Sequence, residues 1–177
     1  KELNDNHPES LIIDLRNNPG GILPEAISIA GSFVNTDEIV TYTLNKDGDR
    51  KDYRAEHSDD SAFIKDIPII ILTNSGSASA SEVLSGALRD LGIAKTLGEK
   101  TFGKGIVQTV MGIGTSGILT VTTDRYYTPK GVCIHGVGIE PDYSVEMSDE
   151  KTARLTTLDA SEDDQLKEAI KILKENK

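Results

Sequence analysis

Two short, largely apolar runs stand out along the chain, Ser10 to Leu15 (SLIIDL) and Pro68 to Thr73 (PIIILT). Runs of this length without polar alternation predict strands buried on both faces. The first runs into Asn17-Asn18-Pro19-Gly20-Gly21 and the second into Asn74-Ser75-Gly76-Ser77, both concentrated turn signals. Helical spacing follows each turn. Ile22, Ala26, Ile29, Ala30 and Phe33 predict one helix. Val83, Leu84, Ala87, Leu88 and Leu91 predict another from Ser79 to Leu91, with Gly92 as its stop. Ala94 to Gly98 predicts a third strand.

Between these units, Ile39 to Leu44 alternates as a strand. Lys46-Asp47-Gly48-Asp49 then predicts a hairpin turn before Lys51 to Arg54. Glu56 to Ser61 is acidic and polar, which predicts a surface loop. Thr101 to Gly105 (TFGKG) is a glycine-flanked loop, followed by strands at Ile106 to Met111 and Ile118 to Thr123 and a glycine-punctuated stretch from Gly131 to Gly138. A last helix is expected to open at Ser161, with Asp164 three residues on and a stripe of Leu166, Ala169, Ile170 and Leu173. Strand–helix alternation over the first two-thirds predicts an α/β fold with a largely parallel sheet and flanking helices. The β-rich stretch after Lys104 is expected to extend that sheet or cover one side of it.

Composition narrows the function. With 29 acidic against 19 basic side chains the net charge is −10, a surface that repels a phosphate backbone and disfavours nucleic-acid binding. The longest apolar run, Ile67 to Leu72, falls far short of the ~20 residues of a membrane-spanning helix. The chain opens on the polar run Lys1 to Ser10, in which no signal peptide is visible, and is expected to be a piece of something longer, separated from a cleaved signal or an upstream domain. The single cysteine, Cys133, excludes an intrachain disulfide and a cysteine-rich metal site. It is expected to be a buried small hydrophobe; His135, two residues on, makes it only a weak candidate nucleophile.

In open α/β sheets, ligands bind beyond the carboxyl ends of the strands. The helix starts near Gly20 and Ser79 would bring free N–H groups there, suited to an oxyanion. Around Ser79 the run Gly76 to Glu82 is small-sided, which lets a carbonyl approach the backbone. Ser79 with Glu82 three residues on is equally a capping box, and a serine hydroxyl is inert without a base. His7 and His57 lie in polar or acidic surroundings, while Lys104 sits between glycines with Phe102 nearby as an apolar shield. Lysine acts as a base where burial lowers its pKa from ~10.4 toward neutrality. Composition alone reads Lys104 as a surface charge. The phosphate-loop pattern and metal-ligand spacings are absent, so no metal or cofactor is expected.

Together these residues resemble the C-terminal processing peptidases, or tail-specific proteases. The blocks that carry the resemblance are Leu15 to Gly21, Ser77 to Glu82, Thr101 to Gln108, and more loosely Tyr126 to Gly131 with Gly138 to Asp142, in family order. The resemblance implies a ClpP/crotonase-like core with Ser79 as nucleophile and Lys104 as general base, at the family's spacing. It implies that Gln108 orients the lysine, as residues four apart on a strand share a face. The oxyanion hole would use backbone N–H groups of Ala80 and of Gly20 or Gly21. Asp90 matches a family aspartate but lies about 16 Å along the helix axis from Ser79, which makes it a supporting residue. Arg16 is expected to brace its turn through a carboxylate.

The family's upstream strands and PDZ domain have no counterpart in residues 1–177, which are read as one catalytic core cut at its N-terminus. The implied reaction is peptide-bond hydrolysis of proteins with flexible, apolar C-termini, outside the cytoplasm. Two rivals remain: a non-catalytic peptide- or lipid-binding module on this scaffold, and a crotonase-like acyl-CoA enzyme, which would have no use for a serine–lysine pair.

Overall fold

The structure, a computed structural model, describes residues 8–56, 67–114 and 117–175. The expectations for His7, His57 and the acidic loop after Glu56 lie outside the described residues. Two four-stranded sheets and four helices organise the described chain. β1 (Leu11–Asp14), β4 (Ile69–Thr73), β5 (Lys95–Gly98) and β8 (Tyr143–Ser144) form a parallel sheet in that spatial order. β4 is the strand the apolar run predicted. Ile69 and Ile71 enter one core while Ile70 and Leu72 enter the other, so every position is buried.

One core holds α1 (Leu23–Gly31) and α2 (Ala80–Asp90) against the sheet. Val83, Leu84, Ala87 and Leu88 of α2 meet Ile69, Ile71 and Ala94, and residues 80–88 are all buried. The other core is covered by α4 (Asp164–Glu175) through Ala169 and Leu173. A short helix, α3 (Asp149–Ala153), had no sequence signal. Three expected core positions differ. Ile22 and Ile29 are exposed beside buried Ala26 and Ala30, because the small alanines carry the close approach of α1 to α2. Ile170 is exposed too, and Ile172 packs in its place. The last helix starts later than expected: Asp163, not Ser161, caps it, its carboxylate accepting the Leu166 N–H at 2.9 Å.

The second sheet is antiparallel, in the order β3-β2-β7-β6, from β2 (Ile39–Asn45), β3 (Arg50–Arg54), β6 (Ile106–Ile113) and β7 (Gly117–Tyr127). The strands after Lys104 therefore do not extend the parallel sheet; they pair with the earlier hairpin, and only β8 adds to the parallel one. Tyr42 and Tyr127 fix that junction by stacking with ring centroids 5.1 Å apart. Beyond it the β6–β7 ribbon runs on without β2. From Gly105 to Thr123 the chain carries no charged side chain, yet Val110, Met111, Ile113, Ile118 and Leu119 are exposed.

Candidate active site

The two turn-rich segments that follow β1 and β4 are laced into one another. The Leu15 carbonyl accepts the Ser77 hydroxyl at 2.7 Å, and the Asn18 carbonyl accepts the Ala78 N–H at 3.0 Å and the Ser81 hydroxyl at 3.1 Å. Asn17 and Asn74 exchange side-chain bonds: the Asn74 amide donates to Asn17 Oδ1 at 2.9 Å, and the Asn17 N–H donates to Asn74 Oδ1 at 2.8 Å. Buried amides left unpaired are costly, so these bonds lock two loops that sequence alone showed only as separate turns.

This lacing presses Gly20 against Ser79. A Cβ on Gly20 would lie 2.4 Å from the Ala78 carbonyl oxygen and 2.6 Å from the Ala80 nitrogen, at a φ of +77°. Glycine is required there by both space and conformation. The Gly20 N–H donates to Asn18 Oδ1 at 2.9 Å, whereas Gly21 is exposed with open space around it. Ala80 is the first residue of α2, so its N–H has no acceptor within the helix. Of the two glycines, Gly20 has its N–H engaged, while Gly21 stands in open space.

Ser79 itself has φ 56° and ψ −117°, a conformation that side-chain-bearing residues rarely adopt. Such a residue persists only where its surroundings over-determine it. The helix cap explains little of this. The Glu82 N–H donates to the Ser79 backbone carbonyl at 2.9 Å, and the Ser79 side chain faces the same N–H in a capping box.

The reciprocal half of the capping box is made, and it does more than cap. Glu82 is wholly buried and its carboxylate accepts four donors. Oε2 takes the N–H groups of Ser79 and Lys104, each at 2.8 Å. Oε1 takes the Thr101 hydroxyl at 2.6 Å and the Gly103 N–H at 2.7 Å. Its lone pairs are then filled. One oxygen thus tethers the backbones of the serine and the lysine within two hydrogen-bond lengths of each other. Thr101 Oγ1 in turn accepts the Ile139 N–H at 2.7 Å, bringing in the Gly138 to Asp142 block. Sequence reading assigned Glu82 to the cap alone; its other partners are loop residues some twenty positions away, beyond any local signal.

The lysine loop is fixed from below, and its side chains stand out. Phe102 N–H donates to the Ser77 carbonyl at 3.0 Å, and a Cβ on Gly105 would strike the His135 nitrogen at 2.4 Å. Lys104 is nevertheless exposed, and Phe102 is 68% exposed. The expected apolar shield is therefore not formed: packing the glycines so tightly turns both side chains outward. Gln108 also differs from expectation. Lys104 precedes β6, and a register shift between Val107 and Gln108 breaks the alternation that would put both on one face. Gln108 is exposed, and no hydrogen bond joins it to Lys104 in the described residues.

Asp90 sits at the far end of α2 and accepts the Lys130 N–H at 2.9 Å, holding the Thr128 to Gly131 turn rather than the serine. Arg16 braces its turn through Asp14, at 2.6 Å, and through Asp163, at 2.7 Å, with only 4% of its side chain exposed. Burial works against the guanidinium charge, but the two carboxylates outweigh it and raise its pKa above the ordinary value. Cys133 is half-buried rather than buried, bridged to Tyr127, and His135 is exposed.

The family model for peptidase family S41 matches residues 1–145. The chain belongs to peptidase family S41. Among S41 relatives, a carboxy-terminal-processing protease of Bartonella bacilliformis is 47% identical over 135 residues, 76% of this chain and 30% of its own length. A probable CtpA-like serine protease of Staphylococcus saprophyticus is 46% identical over 136 residues, 77% of this chain and 27% of its own. The chain thus spans less than a third of the length of these S41 relatives. A solved structure of the photosystem II D1 C-terminal processing protease shares 34% identity with a TM-score of 0.76, covering 90% of this chain and 42% of that one. A putative S41 protease from Bacteroides fragilis, 16% identical with a TM-score of 0.80, shares the fold.

Proposed function

We propose that this chain is the catalytic core of a serine endopeptidase that works through Ser79 and Lys104. We read the parallel sheet and its helices as the ClpP/crotonase-like core of the family. The observation that carries the reading is the Glu82 carboxylate. It accepts the N–H of Ser79, held in a strained conformation at a buried helix start, and the N–H of Lys104 on one oxygen. A cap has no need of the second bond. Ser79 Oγ attacks the scissile carbonyl while the neutral amine of Lys104 takes its proton. Backbone N–H groups of Ala80 and Gly21 hold the tetrahedral oxyanion. Lys104 returns the proton to the leaving amine, and water, deprotonated by the same lysine, releases the acyl group from the serine.

The lysine needs desolvation to serve as a base. Phe102 and Lys104 are exposed, so the substrate or the remainder of a longer chain supplies that cover. Gln108 then acts on the lysine only in the covered state. Exposed Ile22, Phe102 and Val137 beside the two glycine loops support apolar, flexible protein tails as substrates. By family resemblance the site of action is outside the cytoplasm.

Full-length protein tested on a denatured substrate decides the matter. Ser79→Ala and Lys104→Ala are each expected to remove cleavage, and equal cleavage by all three proteins would sink the mechanism. The exposure of Lys104 favours one second reading, a non-catalytic peptide-binding module. Wild-type protein that binds the tails and never cleaves them selects it.

A further inference from the structure

Arg16 lies between the end of β1 and the loop that carries Gly20 and Gly21, and its hydrogen bonds run in two directions. Nε and Nη2 bind the Asp14 carboxylate within the same turn, at 3.0 and 2.6 Å. Nη1 and Nη2 reach across 147 residues of sequence to Asp163, at 3.0 and 2.7 Å, and Nη1 also reaches Gln165 Oε1 at 3.1 Å. Two of these three partners are placed by other contacts as well. Asp163 caps α4, and Gln165, 1% exposed, donates through Nε2 to the Val145 carbonyl at 2.7 Å. The next residue, Asn17, has φ 54° and gives its side-chain amide to the Thr152 carbonyl at 3.3 Å. Asp163, Gln165 and Thr152 all lie beyond residue 145, where the S41 match ends. Meanwhile α4 already has an apolar seat on the sheet through Ala169 and Leu173. Its fold contribution does not require a buried guanidinium. A planar fork held by two carboxylates and an amide fixes direction as well as distance.

We propose that Arg16 is a positioning residue, and that the C-terminal helical segment acts through it as a clamp that sets the Asn17 to Gly21 loop at the oxyanion position. This rests on the reading of that loop given under Proposed function. The clamp works on the transition state: it holds an N–H donor where charge develops, so releasing it lowers turnover and leaves substrate binding nearly unchanged. Asp163→Asn keeps the side-chain shape and loses the charge pair. Gln165→Met keeps the volume and loses both bonds.

The test uses the full-length protein and three readouts: kcat and KM on a peptide, labelling by a fluorophosphonate, and hydrogen exchange of residues 16–21 against residues 69–73. Each variant is expected to lower kcat and labelling by about tenfold or more, with KM within about twofold. Exchange of 16–21 is expected to rise by about tenfold or more, with 69–73 unchanged. Folded variants with wild-type kcat and wild-type exchange at 16–21 would overturn the clamp. So would exchange that rises equally in both segments, or loss of folding in both variants, since either assigns the cluster to the scaffold. Wild-type protein that takes no label sinks the serine-peptidase reading instead, and the exchange arm then still decides the clamp.

Discussion

The serine side and the lysine side of the site are built by opposite means. On the serine side, Leu15 to Asn18 and Asn74 to Ser81 share a dense set of buried and part-buried bonds, and α2 behind them is buried from Ala80 to Leu88. On the lysine side the backbone is just as firmly held, through Glu82, but Lys104, Phe102 and Gln108 stand exposed, and β6 leads into an exposed ribbon. On the proposed mechanism, the nucleophile and oxyanion donors are organised before substrate arrives, whereas the base is given an address and no enclosure. Preorganised dipoles cost no rearrangement during reaction, so they belong on a rigid scaffold. A lysine that must lose solvent to work gains from a site that stays open until it is covered.

The largest break in this comparison is Glu82→Ala. It leaves four donors without their acceptor and separates the two sides at their shared oxygen. A loss of about 3 kcal/mol or more is expected, read as a shift in the denaturant midpoint, together with loss of cleavage. Next is Gly20→Ala, which drives a methyl into the Ala78 carbonyl and the Ala80 nitrogen at an unfavourable φ. Cleavage is expected to fall by about a hundredfold, the scale of one lost oxyanion donor, with a smaller effect on the midpoint.

Acid sharpens the comparison more gently. Burial pushes the Asp163 carboxyl up, but the Arg16 guanidinium and the Leu166 N–H outweigh it and hold its pKa below the ordinary range. A carboxyl with a depressed folded pKa adds stability that is full above its unfolded value of ~3.9 and drains away as pH falls through the folded value. Between pH 6 and pH 3 the wild type should therefore lose more Tm than Asp163→Asn does. The smallest effect is expected from Ile118→Lys, at a side chain 76% exposed on the ribbon. Stability should change by no more than about 0.5 kcal/mol, measured by denaturation. A large loss there would mean that the lysine side is packed after all.

Local patterns carried the fold as far as local physics reaches. The α2 stripe and the doubly buried β4 were legible because each is one continuous period in sequence. Strand partners were not: β2 and β7 meet across some eighty residues, and an alternating strand does not say which sheet it joins. The site divides in the same way. Gly20 and Ser79 were legible as turn and helix start, yet Ser79's strained φ comes from tertiary contacts. The apolar shield expected of Phe102 over Lys104 is absent because flanking glycines signal close packing of backbone without saying where the side chains go. Glu82 showed one partner in sequence and four in space.

The uncharged ribbon has a consequence in folding kinetics. Strand edges are commonly guarded by lysine, proline or other charge, and from Gly105 to Thr123 there is none. While the chain is unfinished, pairing β6 with β7 is a first-order step that competes with second-order capture of the same uncharged edges by a neighbour. Dilution slows only the second. Recovery of native protein from denaturant should therefore fall as protein concentration rises.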